Sequence, residues 1–348
     1  MKISNDNKRL KLIDIAKDGK GISKKESLNP SGIKRFFLTY KNNFGKLILV
    51  NMLMVLGNFP AMFLVAVLAG FTKDISYMPL NDIAQNLSSL FMIRDITPAE
   101  MSIYALEGMN SQLYINTTLT YVFIGIGALV LLTFGIVNAG TAYILRNIAM
   151  GEPVFVWTDF AYAIKRNYKQ ALPFGIIDGL INAVLIFNLY TTVTSSDFLV
   201  SMMFWSNVVL FVLYFFMRCY IYVQMVTFDL TVFKILKNSL IFSLIGLKRN
   251  IIAFLGNALL ILGEIIFLFC PGGILLPLAV AMPLIMFFSG AAYMKVYASY
   301  FKIKEIIIDP YKEEHPELYH EDDGEVIMHD DVTQRERLEE IKKKNNID

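Results

Sequence analysis

The sequence predicts an all-α integral membrane protein, a bundle of about six transmembrane helices, from its composition, its apolar runs and its charge distribution. Of its 348 residues, 55% are hydrophobic and only 18% are charged. The mean hydropathy of +0.50 is too high for a soluble domain of this size. The net charge of +2 conceals a basic N-terminal arm and an acidic C-terminal tail, with long uncharged stretches between them. We therefore expect the lipid bilayer to surround most of this chain.

Six apolar runs are long enough to cross a membrane, which requires roughly 20 residues because the hydrocarbon core is about 30 Å thick and each helical residue rises about 1.5 Å. The runs are Leu47–Phe71, Thr117–Leu145, Ala171–Val193, Val200–Phe228, Ile251–Cys270 and Ile274–Tyr297. The last two are separated only by Cys270-Pro271-Gly272-Gly273, which can form a tight turn or a kink. Because residues 251–297 are too many for one span, we expect a turn.

The positions of Lys and Arg orient these six spans. Twelve Lys and Arg residues precede Leu47, four lie within 146–169, four lie within 234–249 and nine follow from Lys295 onward. All of these segments are on the same side of the membrane as the two termini. The opposite side carries only Lys73 and Arg94, and Arg218 lies inside the fourth run. Because Lys and Arg concentrate in cytoplasmic loops, the sequence predicts a multi-pass protein of the cell membrane with a cytoplasmic N-terminus and a cytoplasmic C-terminus.

Three regions follow along the chain. They are a basic cytoplasmic arm with an amphipathic segment at 1–46, a six-span membrane domain at 47–301 with an external loop at 72–116, and a charged, acidic cytoplasmic tail at 302–348. In the loop, Thr97-Pro98-Ala99-Glu100 combines an N-cap, a proline at the first helical position and a glutamate at the third. We expect a helix to begin there.

A short basic motif recurs before each odd-numbered run. Its copies are Lys41-Asn42-Asn43-Phe44, Lys165-Arg166-Asn167-Tyr168 and Lys248-Arg249-Asn250-Ile251. One interpretation is a chain of three hairpin repeats, each introduced by an amphipathic segment that lies along the cytoplasmic leaflet with its aromatic rings at headgroup level. The other is chance similarity, because basic residues are expected at every cytoplasmic boundary.

A charged residue within a span is costly and marks a candidate functional site, and three such residues stand out. Asp178, Arg218 and Glu264 lie about 10, 15 and 20 Å from the cytoplasmic boundary, at about 1.5 Å per residue. Their depths allow a buried acid–arginine–acid group, with Asn182 one helical turn from Asp178 on the same face. Such a group is either a polar lock that holds three helices in register or a site for a substrate or proton. We favour the lock.

Glycines and prolines in the spans predict close helix contacts and interruptions. Gly125, Gly127, Gly135 and Gly140 allow close approach of neighbouring helices. Pro60 in the first run and Pro277 and Pro283 in the sixth mark the places where discontinuous helices are to be sought. Discontinuous helices line the substrate path of many transporters, but proline also kinks purely structural helices.

Sequence motifs of enzymes, metal sites and cofactor sites are lacking. The spans contain no histidine, and the chain has no GxSxG elbow, no HExxH helix and no glycine-rich phosphate loop after a strand. The three histidines, His315, His320 and His329, lie in the tail without a spacing that unites them, so a solvated tail is favoured over a metal site. We expect no enzymatic activity, no cofactor, no metal ion and no nucleic-acid partner.

Four stretches together carry a resemblance to a known family. They are Gly19–Lys24 with Ile33–Leu53; Asn138–Tyr143 with Gly151-Glu152, Val156–Phe160 and Lys165–Gln170; Phe187–Tyr190; and Phe228–Leu230 with Leu236–Ser239. In these stretches the sequence resembles the YesL family of bacterial multi-span membrane proteins, whose biochemical function is not defined. The second stretch is the most specific. In the third, Asn188 stands where members of the family often have Asp, which weakens any role for this position as a catalytic acid.

The resemblance implies an accessory or regulatory role in bacterial carbohydrate uptake, because genes of the family tend to accompany sugar ABC transporters and sensor kinases. Besides lipid, the expected partners are therefore transporter subunits or membrane sensor proteins. This implication is an association and supplies no mechanism. The alternative is a secondary transporter or channel that moves a small solute itself.

Overall fold

The computed structural model describes residues 32–76, 89, 93–95, 97–110, 113–193, 197–314 and 328–329, and this part of the chain is mostly helical. The helices are α1 (Ile33–Asn42), α2 (Phe44–Gly57), α3 (Ala61–Leu68), α4 (Pro98–Asn110), α5 (Thr118–Ala128), α6 (Val130–Met150), α7 (Val156–Thr192), α8 (Phe198–Thr227), α9 (Val232–Ile245), α10 (Leu247–Leu268), α11 (Leu276–Met282), α12 (Phe288–Ile303) and α13 (Asp309–Glu314). The short strands are β1 (Lys73–Ser76), β2 (Leu113–Asn116), β3 (Phe228–Asp229) and β4 (Met328–His329). The predicted all-α membrane bundle is confirmed.

Five helical stretches of the described chain are long and apolar enough to cross a membrane. They are Thr118–Met150, Val156–Thr192, Phe198–Thr227, Leu247–Leu268 and Leu276–Tyr311. The pair α2 and α3 makes a sixth if it is counted as one span bent by 70°. This count agrees with the six apolar runs and identifies a multi-pass membrane protein. Leu276–Tyr311 is called the terminal span below.

The first span is broken at the predicted proline. Pro60 stands directly before α3 and has no backbone N–H to continue the hydrogen-bond ladder of α2. The side chain of Asn58 occupies this break, donating to the carbonyl of Met54 at 3.0 Å and accepting from the Thr133 hydroxyl at 3.3 Å. The break is therefore tied to α6.

The terminal span is interrupted at Pro283, where a π-helical segment, Pro283–Phe287, separates α11 from α12. The fully buried side chain of Asn51, on α2, bridges this interruption. Its amide donates to the carbonyl of Pro283 at 2.8 Å, and its oxygen accepts from the backbone N–H of Ser289 at 3.0 Å. A side chain from the first span thus satisfies backbone groups that a regular helix would pair internally.

The centre of the bundle is the packing of α6 against α7. Gly135 and Gly175 meet at this crossing, and a Cβ on Gly135 would collide with the carbonyl oxygen of Ala171 and the Cα of Gly175. In α6 nearly every residue from Val137 to Ala149 is buried. The helix α8 packs against both α6 and α7, and the terminal span packs against α6, α8 and α10. The close approach predicted for Gly135 is therefore observed.

The three amphipathic segments differ in structure. The first forms α1, and the third forms α9, a separate helix that packs on α8 and buries Ile235, Ser239 and Phe242. The middle segment is continuous with the third span in the 37-residue helix α7. The helix continues through Pro173, and Ala163, Asn167 and Ala171 are buried along it at four-residue spacing. The expected leaflet segment before the third span is therefore not a separate helix.

The described parts of the loop at 72–116 form a small capped structure. β1 pairs antiparallel with β2, with Lys73 opposite Asn116. The helix α4 begins at Pro98, as predicted, and the Glu100 carboxylate accepts from the Thr97 backbone N–H at 2.9 Å. The Thr97 hydroxyl accepts in return from the Glu100 backbone N–H at 3.3 Å. Residues 77–88 and most of 90–96 lie outside the described residues.

The helix of the terminal span continues beyond the predicted boundary at residue 301, through a second π-helical segment and α13, and ends at Glu314. Further along, β4 pairs in parallel with β3, so Met328 lies opposite Phe228 and His329 opposite Asp229. His315 and His320 lie outside the described residues, as do residues 1–31, which include Gly19–Lys24 of the first stretch of the family resemblance.

Candidate functional site

The only described aspartate that is completely buried is Asp178, on α7, and it accepts hydrogen bonds from four side chains. Its Oδ1 accepts from the Tyr214 hydroxyl at 2.7 Å and from the Asn182 amide at 2.9 Å. Its Oδ2 accepts from the Tyr222 hydroxyl at 2.7 Å. The Nε of Arg218 lies 2.9 Å from Oδ1 and 3.2 Å from Oδ2. These five residues are called the Asp178 centre below.

Two helix faces assemble the Asp178 centre. On α8, Tyr214, Arg218 and Tyr222 follow one another at four-residue spacing, which aligns them along one face. On α7, Asp178 and Asn182 are likewise four residues apart. Because α7 and α8 pack against each other, the two faces meet. Intramembrane charge indicated Asp178 and Arg218, and the spacing of one helical turn indicated Asn182. The sequence analysis missed the two tyrosines, although their four-residue spacing on either side of Arg218 was a signal in the sequence.

The carboxylate of Asp178 is saturated. An ionised carboxylate offers about four acceptor positions on its two oxygens. The two tyrosine hydroxyls, the Asn182 amide and the Arg218 Nε use this capacity. A hydrogen-bond donor of a substrate could reach this carboxylate only by displacing one of these four donors. The geometry of the centre is that of a polar lock between α7 and α8.

Glu264 does not join this group. It lies on α10, whose principal neighbour is the terminal span, and α10 meets α8 at few positions. The side chain of Glu264 makes no ion pair in the described chain, and its buried Oε2 has no hydrogen-bond partner there. The predicted acid–arginine–acid triad is therefore wrong in its third member. Depth along the helices was compatible with a triad, but depth carries no information on which helices are neighbours.

A small cavity adjoins the Asp178 centre between α6, α8 and the terminal span. It has a volume of about 30 Å³. Its polar and charged lining comes from Asn138, Thr141, Arg218, Cys219, Tyr222 and Lys295. The sequence counted Lys295 with the cytoplasmic charges, at the end of the sixth run. In the structure Lys295 lies within the helix of the terminal span, which continues to Tyr311, and it lines the same cavity as Arg218.

A second polar cluster closes the C-terminal end of α8. Arg146 is only 2% exposed, and its guanidinium donates to the Val226 carbonyl at 3.0 Å and to the Thr227 hydroxyl at 3.2 Å. Arg166 donates to the same Val226 carbonyl, and Gln170 donates to the Leu230 carbonyl at 3.0 Å. Cations at a helix C-terminus satisfy its free carbonyls and its dipole.

This second cluster joins two stretches of the family resemblance in space. Arg166 and Gln170 belong to the second stretch, and Leu230 belongs to the fourth. The sequence analysis counted Arg146 and Arg166 among the charges at a membrane boundary and placed Arg166 in the repeated basic motif. Their hydrogen bonds to α8 give them a structural role, since both donate to the carbonyl of Val226 at its C-terminal end.

No group of three His, Cys, Asp or Glu side chains in the described chain could hold a metal ion. The structure brings together the Asp178 carboxylate, whose acceptor positions are all in use, and the two cations Arg218 and Lys295. Cations of this kind can bind and orient an anion. Comparison with known proteins gives no relative: no family model, no curated protein and no solved structure matches the chain.

Proposed function

We propose that this chain is an accessory or regulatory protein of the bacterial cell membrane that works by contacting other membrane proteins and does not itself carry a sugar. The observation that supports the proposal is the saturation of the Asp178 centre, which leaves its carboxylate no free acceptor for a sugar hydroxyl. The choice of carbohydrate uptake systems or membrane sensors as partners rests on the resemblance to the YesL family alone.

The size of the cavity beside Lys295 supports the same proposal. Pockets for small organic ligands usually measure about 300–1,000 Å³. The cavity of about 30 Å³ has room for only a few atoms. A monosaccharide does not fit there without separation of α6, α8 and the terminal span. Sugar transport through this part of the protein would need a large rearrangement.

For the topology we propose that both termini are cytoplasmic, because Lys and Arg concentrate at one end of the spans. The two native cysteines supply a test. Cys270 lies in the connection between α10 and α11 and is partly exposed, whereas Cys219 is buried in α8. A membrane-impermeant maleimide added to intact cells should label Cys270. Labelling only after the cells are opened would reverse the topology, and Cys270→Ser is the control for specificity.

The accessory role is tested by purification from a bacterial host in mild detergent, followed by identification of the proteins that copurify. Subunits of a sugar transporter or a sensor kinase should be recovered with the wild-type chain. They should be absent from a parallel purification of an unrelated multi-span protein with the same tag. The purified chain alone should produce no sugar flux in liposomes. Flux by the chain alone would contradict the accessory role.

A second candidate function is a transporter or channel for a small solute. It is favoured by the two proline breaks, at Pro60 and Pro283, since discontinuous helices are common where transporters bind their substrates. In this case the liposome assay should show flux of an inorganic ion. The flux should fall in Lys295→Met and persist in Lys302→Met, because Lys302 lies outside the cavity and pairs with Glu305 at 3.1 Å.

A further inference from the structure

The cavity between α6, α8 and the terminal span contains more positive than negative charge. Arg218 and Lys295 both line it, and Asp178 is the acid that pairs with Arg218. Lys295 makes no ion pair in the part of the chain that the structure describes. At neutral pH two cations and one carboxylate leave a net charge of +1 inside a membrane-spanning bundle. An uncompensated charge in a membrane interior is costly, and a bound counter-ion removes this cost.

The hydrogen bonds of Arg218 leave donors for such an ion. Its Nε is used by Asp178, while its two terminal nitrogens have no hydrogen-bond partner in the described chain. An aromatic ring supports each cation: the Arg218 Cζ lies 5.3 Å from the centroid of Phe134, and the Lys295 Nζ lies 6.0 Å from that of Phe215. An aromatic ring has no oxygen that could accept a hydrogen bond. The N–H groups of Arg218 and Lys295 that line the cavity therefore remain without a strong acceptor.

The other polar groups of the cavity do not neutralise these cations. The Asn138 amide donates to the carbonyl of Phe134 at 2.8 Å, and the Thr141 hydroxyl donates to the carbonyl of Val137 at 2.8 Å. The Tyr222 hydroxyl is used by Asp178. Each of these groups is neutral, and each already uses a donor within the protein. Arg218 and Lys295 are therefore the groups that determine what the cavity attracts.

We propose that this cavity binds a single small monoanionic group, held between the terminal nitrogens of Arg218 and the ammonium of Lys295. Charge balance requires one negative charge. The volume of about 30 Å³ limits the occupant to a small ion or to one end of a larger molecule. Asp178 acts as a positioning residue, since its bond to Nε directs the guanidinium. The anionic group can belong to a free inorganic ion or to the phosphodiester of a lipid headgroup.

The test is a thermal unfolding titration of the purified full chain in a phosphate-free maltoside detergent, followed by tryptophan fluorescence. In one arm sodium chloride replaces sodium gluconate at constant ionic strength. In the other arm phosphatidylglycerol replaces phosphatidylcholine in gluconate. We expect at least one arm to raise the Tm with a saturable dependence, because a ligand that binds only the folded state stabilises it. A response to chloride identifies a free ion, and a response to phosphatidylglycerol alone identifies a headgroup.

Three variants complete the test. Lys295→Met should weaken the apparent affinity for the responding anion about tenfold or more, the effect of losing one charge-assisted hydrogen bond. Lys295→Arg should restore most of it, and Lys302→Met, on the same helix but outside the cavity, should respond like the wild type. In gluconate, Lys295→Met should unfold at the same or a higher temperature than the wild type, because the substitution removes an uncompensated charge.

Several outcomes would overturn the proposal. One is that neither chloride nor phosphatidylglycerol raises the Tm of the wild type. Another is that Lys295→Met responds with unchanged affinity, or that Lys302→Met loses the response to the same extent. A Lys295→Met chain that fails to fold in gluconate would show that Lys295 stabilises the anion-free protein, which contradicts an uncompensated charge.

Discussion

The buried pair of Asp178 and Arg218 predicts that the protein should tolerate the loss of both charges better than the loss of one. Arg218→Met keeps an apolar side chain of similar length and leaves the completely buried Asp178 carboxylate without its cation. Removing one partner of a buried ion pair typically destabilises by about 3–5 kcal/mol. The two tyrosines and Asn182 still donate to the carboxylate, so we expect a loss near the lower end, about 3 kcal/mol.

The double variant Arg218→Met/Asp178→Asn leaves no unpaired charge within the Asp178 centre, and the charge of Lys295 leaves the cavity with the same net charge of +1 as in the wild type. The amide oxygen that replaces the carboxylate still accepts hydrogen bonds from one or two of the neighbouring donors. The double variant therefore loses one or two hydrogen bonds, which lowers the free energy of unfolding by about 1–2 kcal/mol. The double variant should therefore be more stable than the single variant by about 1–2 kcal/mol. Lys302→Met is the matched control, because it breaks a pair whose acid, Glu305, is 54% exposed, and such pairs contribute about 0–1 kcal/mol.

The free energies of unfolding are measured by denaturant titration of the four proteins in mixed micelles, followed by tryptophan fluorescence. The expected order of stability is wild type, Lys302→Met, the double variant and then Arg218→Met. If Arg218→Met were as stable as the double variant or more so, the carboxylate would not depend on Arg218. The interpretation of the Asp178 centre as a charge-paired lock would then be refuted.

Three further predictions concern packing, the helix break and the loop. Gly135→Ala should destabilise the protein by about 1–3 kcal/mol in the same titration, because the added Cβ collides with the backbone of α7. A Cβ at Gly125 would meet no atom within 4 Å, so Gly125→Ala should change the stability by less than about 1 kcal/mol. Asn51→Leu should lower the free energy of unfolding by about 2–4 kcal/mol in that assay, since it leaves two buried backbone groups of the terminal span unpaired. A decrease smaller than that of Gly125→Ala would argue against the bridge that Asn51 forms. The pKa of Glu100 is lowered below its ordinary value of 4.5, and the largest cause is the hydrogen bond from the backbone N–H of Thr97. The ionised Glu100 carboxylate therefore stabilises α4 fully above pH 4.5, and this stabilisation is lost as the pH falls through the lower pKa of the folded state. NMR carbon shifts of α4 should report this loss in the wild type and no such titration in Glu100→Gln.

The candidate site was only partly predictable from sequence. Charge within an apolar run identified Asp178 and Arg218, because a charge in a membrane must find a partner. The same rule selected Glu264, which the fold keeps apart from them. It missed Lys295, which lies close enough to the predicted end of the last run to be counted as a boundary charge. A difference of a few residues in a helix boundary decides whether a lysine faces water or a cavity.

The sequence by itself determined the membrane-spanning architecture, since only helices of about 20 apolar residues satisfy their backbone within the hydrocarbon core. It also determined the capped start of α4 and the break at Pro60, because both depend on residues that are close together in the chain. Only the tertiary structure decided which acid pairs with Arg218 and which side chain bridges the break at Pro283. Both contacts join residues far apart in sequence, and their formation depends on which helices pack together.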